Sequence, residues 1–124
     1  MKTILLVGCG NIGYRHLQSV LKLKNYKIDV YDKSKKNLFN LKKNISKEYK
    51  KNQNTIDYIK DFKLLKNSYD VCIIATTSQE REKIILMLLK KIKIRYFILE
   101  KFLFQSVKSY NNIIKKFEKK RIKA

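Results

Sequence analysis

Thr3-Ile4-Leu5-Leu6-Val7-Gly8-Cys9-Gly10-Asn11-Ile12-Gly13 decides the fold, because a continuous apolar run leads straight into a G-x-G-x-x-G turn. An unbroken apolar strand is one buried on both faces, as in a parallel sheet covered by helices. In such a turn each glycine has its own task. Gly8 makes the tight exit from the strand, Gly10 lets backbone approach a pyrophosphate, and Gly13 lets the next helix pack closely on the sheet. The helix that follows aims free N–H groups and the positive end of its dipole at the phosphates, so Asn11, Ile12 and Gly13 at its start complete the cradle.

A second apolar stretch, Ile28-Asp29-Val30-Tyr31, ends in Asp32, about 20 residues past the last glycine, which is the spacing of a ribose-binding acid. A carboxylate at that strand tip accepts hydrogen bonds from adenosine ribose hydroxyls and repels a 2′-phosphate. The reading is therefore NAD, with NADP less favoured. Asp32-Lys33-Ser34 is also good turn and helix-capping chemistry, and this alternative stays open. Lys33, Lys35 and Lys36 lie close enough to soften the discrimination.

The 124 residues are read as one domain, 1–124, with no room for a second. The net charge of +20 raises the question of a nucleic-acid partner. Only Arg15, Arg81, Arg95 and Arg121 among the 30 basic residues carry the planar guanidinium that base and phosphate readers favour, and the lysines are scattered. Lys, Ile, Asn and Tyr dominate a composition without Pro or Trp, as in a protein from an AT-rich genome. Nucleic-acid binding is not the expectation. No run approaches the ~18 apolar residues of a membrane span, and the apolar segment before Gly8 is too short for a secretion signal, so a cytoplasmic protein is expected. Cys9 and Cys72 are expected on neighbouring strands as buried, reduced thiols.

Along the chain, Ile12, Leu17, Val20, Leu21 and Leu23 give a helical face ending near Asn25, and Leu38, Leu41, Ile45 and Tyr49 give another behind an N-cap at Ser34. Thr55–Tyr58 is a short strand candidate, and 61–67 a loop or brief helix. Asp70–Ala75 reads as a buried parallel strand. Thr77 and Glu80 then have capping-box spacing before a helix carrying Ile84, Ile85, Leu88, Leu89 and Ile92. Tyr96–Leu99 is a fifth strand, and Val107, Tyr110, Ile113, Ile114 and Phe117 form a last amphipathic face. The result is a doubly wound α/β fold, Rossmann-like, with strand order 3-2-1-4-5.

These segments resemble, in order, the N-terminal domain of the Gfo/Idh/MocA oxidoreductases, which act mainly on sugars and polyols. The turn through Gly13 continues as Tyr14-Arg15-His16, similar to the family's cofactor turn with a His three residues after the last Gly. Ala75-Thr76-Thr77-Ser78 resembles the loop beside the nicotinamide ribose, and Glu100-Lys101 the Glu-Lys of a Glu-Lys-Pro signature. The resemblance implies nicotinamide dinucleotide as ligand, with Ala75, Thr76, Thr77, Glu100 and Lys101 at the cofactor. It also makes Lys101 the catalytic group, contacting substrate hydroxyl and cofactor. A cationic amine at the carboxyl end of a parallel strand can stabilise a developing alkoxide while hydride leaves the adjacent carbon. His16 is read as a packing or supporting residue.

The chain departs from the pattern in three ways. Phe102 replaces the usual Pro, and Thr77 and Arg81 stand where Pro and His are common. The sequence also reaches Ala124 where the family continues into a sixth strand and a substrate-binding domain. Expected, therefore, is the dinucleotide-binding part of a sugar-type or polyol-type oxidoreductase, incomplete as an enzyme and completed elsewhere or by a separate chain. The alternative is a non-catalytic NAD-binding or redox-sensing module, distinguishable only by substrate-domain residues. An uncovered fifth strand is expected to favour self-association unless the basic C-terminal tail folds over it.

Overall fold

The computed structural model describes residues 1–49, 56–100 and 106–124. Lys101 and Phe102 lie outside these described residues, as does Thr55. Five parallel strands, β1 (Lys2–Val7), β2 (Tyr26–Tyr31), β3 (Ile56–Ile59), β4 (Ser68–Ile74) and β5 (Lys93–Leu99), form one sheet in the order β3-β2-β1-β4-β5. The expected order is the observed one. Helices α1 (Asn11–Val20), α2 (Lys35–Glu48), α3 (Ser78–Lys91) and α4 (Val107–Lys120) fill the connections, with a 3-10 turn at Phe62–Leu64.

The first strand shows why its sequence does not alternate. Ile4 and Leu6 join one buried cluster with Leu17 and Val20 of α1 and Leu38, Leu41 and Ile45 of α2. Leu5 and Val7 point the other way, into a cluster with Ile85, Leu88 and Leu89 of α3 and Ile113 and Phe117 of α4. Both faces of β1 are thus dry, and its residues from Ile4 to Val7 are at most 3% exposed. β2 pairs with β1 from Tyr26 opposite Lys2 to Tyr31 opposite Val7, which carries Asp32 to the same end of the sheet as Gly8.

Several expectations change in detail. α1 stops at Val20, not near Asn25: i to i+3 bonds from Leu23 N–H to Val20 O (2.9 Å) and Lys22 N–H to Ser19 O tighten its end, and Asn25 at φ 67° reverses the chain. Leu23 and Ile12 are consequently about half exposed rather than core. On α4 only Ile113 and Phe117 are buried, while Val107 and Ile114 face solvent. Ser34 does cap α2, accepting from Asn37 N–H. The Thr77 hydroxyl makes no such bond at α3, and the Glu80 side chain reaches Lys33 rather than back to the cap. Cys9 falls just past β1 and joins the α1/α2 cluster, whereas Cys72 on β4 joins the α3/α4 cluster, so the two buried thiols belong to opposite faces.

The outer edge of β5 is partly occupied by the chain itself. Arg121 takes the left-handed conformation after α4, and Lys123 then forms a parallel bridge with Tyr96. Its carbonyl accepts from Phe97 N–H (2.7 Å) and its N–H donates to Arg95 O (3.3 Å). The covering tail is therefore the observed arrangement over the middle of the strand, from Arg95 to Phe97, while Ile98 beyond it remains 48% exposed. Among the described residues, no helix is long and apolar enough to cross a membrane.

Candidate cofactor site

The carboxyl ends of β1, β2 and β4 converge on a cleft of about 480 Å³ lined by Gly8, Gly10, Asp32, Ala75, Thr76 and Thr77. Strand ends that diverge at a change of winding direction are where α/β sheets hold ligands. A larger groove of about 870 Å³ runs between α3 and α4, but its lining, from Glu82 and Lys108 to Lys115, is polar helix surface remote from that switch point.

The three glycines of the turn differ in what surrounds them. Gly8 adopts φ +103°, and a Cβ there would meet the Ala75 carbonyl at 2.9 Å. A Cβ on Gly13 would lie 2.0 Å from Gly8 O. Both positions are fixed by the protein's own backbone. Gly10 has ordinary extended geometry as the N-cap of α1, and a Cβ there would meet nothing within 4 Å. Its lack of a side chain serves the open space in front of it. α1 also begins with no side-chain cap and no acidic residue in its first turn, leaving its N–H groups and dipole for an anion. The donor set fits a pyrophosphate.

Asp32 stands opposite. Its Oδ2 accepts from Cys9 N–H (3.0 Å) and its Oδ1 from Ser34 N–H (2.8 Å), so the carboxylate ties the glycine turn to the start of α2. The turn-forming alternative for Asp32 is thus realised, yet the same carboxylate lines the cleft. Oδ2 also takes a long bond from Asn37 Nδ2 (3.5 Å), but the two roles are compatible, since Oδ1 retains acceptor capacity for a ribose hydroxyl. Burial, with Asp32 beside it, pushes the Cys9 thiol up to about 12, and burial raises Cys72 as well; neither is a thiolate at neutral pH. Across the mouth of the cleft, Lys33 Nζ pairs with Glu80 Oε1 at 3.0 Å, and that hydrogen bond raises the lysine's pKa above its usual value.

On the β4–β5 side, Ala75 N–H bonds Val7 O (2.8 Å), holding the loop after β4 against β1. The Oγ1 of Thr76 is buried and has no hydrogen-bond partner among the described residues. Arg81, 3% exposed, donates from one guanidinium nitrogen to Thr76 O (2.8 Å) and from another to Glu100 O (3.1 Å). Desolvation lowers its pKa, opposed by the Glu100 charge. The Glu100 carboxylate in turn bonds His16 of α1. Gly8, Gly10, Asp32, Ala75, Thr76 and Thr77 thus meet at the cleft and Glu100 is tied to the loop after β4, with Asn11, Ile12 and Gly13 in the first turn of α1, while Lys101 lies outside the described residues. Sequence reasoning missed the Lys33–Glu80 pair and the roles of Arg81 and His16. Helical spacing held a signal for Arg81: counted from Ile85 and Leu88, it falls on the buried stripe of α3.

A profile described as an oxidoreductase family with an NAD-binding Rossmann fold, Gfo/Idh/MocA, matches residues 2–123. The chain belongs to this family. No curated protein matches it in sequence. Among solved structures it is similar to a Gfo/Idh/MocA family oxidoreductase from Vibrio cholerae, with TM-score 0.75 and 16% identity over 100% of this chain and 38% of that one. The WlbA dehydrogenase from Bordetella pertussis, solved with NADH and UDP-GlcNAcA, gives 0.70 and 14% over 98% and 35%. A myo-inositol dehydrogenase from Corynebacterium glutamicum gives 0.66 and 12% over 97% and 34%. The chain thus spans 34–38% of the length of these relatives. It is a Gfo/Idh/MocA Rossmann domain, and at these identities the structural likeness speaks for the fold.

Proposed function

We propose that this Gfo/Idh/MocA domain binds NAD in preference to NADP and serves as the cofactor half of an oxidoreductase acting on sugars or polyols. The observation that carries the reading is the contrast at the glycine turn. Gly8 and Gly13 are demanded by protein atoms a few ångströms away, whereas nothing among the described residues demands Gly10. A backbone left bare toward an open cleft, at an uncapped helix start, suits a phosphate. Asp32 supports the preference for NAD, because a 2′-phosphate would face its carboxylate.

When bound, the nicotinamide accepts or donates a hydride. The protein's own contribution is to hold the pyrophosphate on the backbone at Gly10 and α1, to fix the ribose through Asp32, and to present Thr76 and Thr77 beside the second ribose. Lys101 is assigned by the family resemblance as the cation that stabilises alkoxide on the substrate. Turnover also needs groups that position the substrate and move its proton, and the described residues around the cleft supply no such set.

Calorimetric titration of the 124-residue chain tests the reading. NAD binding tighter than NADP binding is expected, and Gly10→Val should abolish both while the thermal transition persists. Retained affinity in Gly10→Val would remove the phosphate cradle. With sugars as substrates no hydride transfer is expected from this chain alone, and turnover lost in Lys101→Ala would overturn that.

A further inference from the structure

Arg81 is the buried cation of the molecule's functional end, and its bonds join elements that the backbone ladder leaves separate. It rises from the first turn of α3, just after the loop that follows β4. Among the described residues its guanidinium bonds the carbonyls of Thr76, in that loop, and of Glu100, the residue after β5. β4 and β5 pair up to Ile74 opposite Leu99, so beyond that point the sheet no longer holds the two chain segments together. The guanidinium does. Its planar fork can address two acceptors at fixed geometry, which an ammonium or an imidazole in the same place cannot. From the other face of the sheet, His16 on α1 takes the Glu100 carboxylate, so the residue after β5 is held through its carbonyl by α3 and through its side chain by α1.

Resting on the NAD reading above, the cleft divides at the glycine turn. With pyrophosphate at Gly10 and adenosine toward Asp32 on β2, the nicotinamide end must lie on the β4 side, beside Thr76. We infer that Arg81, with His16 as its lesser partner, is a positioning residue for the nicotinamide half of the dinucleotide: it sets the loop after β4 and the residue after β5 into one rigid wall and leaves the adenosine half untouched.

The two halves can be titrated apart. ADP-ribose carries the adenosine and both phosphates without nicotinamide, while NADH binding is followed by the fluorescence of the nicotinamide itself. In Arg81→Met, which keeps the stem and removes the donors, NADH affinity should fall roughly tenfold with ADP-ribose affinity unchanged, since two part-buried carbonyls lose charged donors. Arg81→Lys should recover part of the loss. His16→Ala, at a site about a quarter exposed, should lower NADH affinity by a smaller factor and again spare ADP-ribose. If Arg81→Met does not fold, the His16→Ala split decides the matter. Equal losses for both ligands, or no loss for NADH, would overturn the positioning role while leaving the NAD reading intact. Wild-type protein that binds neither ligand would overturn both.

Discussion

The two sides of the cleft are built by different means. On the β1–β2 side the wall is main chain: a glycine at φ +103°, a helix start packed within 2.0 Å of where a Cβ would be, and one carboxylate at a strand tip. On the β4–β5 side the wall is assembled from long side chains, with Arg81 and His16 converging on Glu100 from opposite faces of the sheet. Backbone architecture is written in residues that tolerate almost no substitute. Side-chain architecture is written in residues that are unremarkable until the fold brings them together.

The largest test of this contrast falls within the glycine turn. Gly13→Ala should destabilise the domain by at least ~3 kcal/mol, because its Cβ would collide with Gly8 O and neither backbone segment can yield. Gly10→Val should leave stability within about 1 kcal/mol of wild type in a thermal melt. If the two variants melt alike, the distinction between structural and ligand-serving glycines fails.

A second variant asks whether stability and binding occupy different ends of the sheet. Asp29, 2% exposed on β2, accepts from Tyr69 O–H at 2.6 Å and pairs with Lys66 at 3.5 Å, toward the amino end of β4. Tyr69→Phe removes the hydroxyl donor from a buried carboxylate and should cost ~1–3 kcal/mol in denaturant unfolding. Dinucleotide affinity should not change. Asp32→Ala should instead weaken NAD about tenfold and narrow its lead over NADP, with a stability cost of ~1–2 kcal/mol from the Cys9 and Ser34 N–H groups it leaves unbonded. The same change also lifts two of the influences that hold the Cys9 thiol near pKa 12. In wild type both thiols should resist alkylation at pH 8 until the protein unfolds, and Asp32→Ala should speed modification of Cys9 but not Cys72.

The smallest effect concerns the mouth of the cleft. Lys33 is solvent-exposed and held by Glu80, so Glu80→Gln should free a cation beside the ribose site and improve NADP affinity by about two- to fivefold, the scale of a surface ion pair. No change in NADP affinity would mean that Lys33 does not face the 2′ position.

How much of this was legible in the sequence follows the same division. The apolar run into Gly8, the acid at Asp32 and the βα alternation specified the sheet order and the phosphate cradle, because each depends on local pattern. Thr77 and Glu80 had the spacing of a capping box, but the pattern says nothing of Lys33 arriving from another loop to take the carboxylate. Ile12 and Leu23 fitted a helical period and are exposed, since periodicity does not tell where a helix ends or which turn overhangs the cleft. Arg81 was visible as a departure from the family's usual residue and as a position on the apolar stripe of α3. Its meaning required the positions of Thr76 and Glu100.

The bridge between Lys123 and Tyr96 gives the C-terminal tail a life of its own in time. An isolated bridge opens far more often than a central strand, so the Phe97 amide should exchange with solvent at the rate of tail opening and much faster than amides of β1. Each opening bares the outer edge of β5, where Tyr96 and Ile98 are already partly uncovered, to pairing with another molecule. Any self-association of this chain would then keep pace with exchange at Phe97 rather than with global unfolding, and raising the salt concentration, by screening a charge of +20, would shorten the wait for each productive encounter.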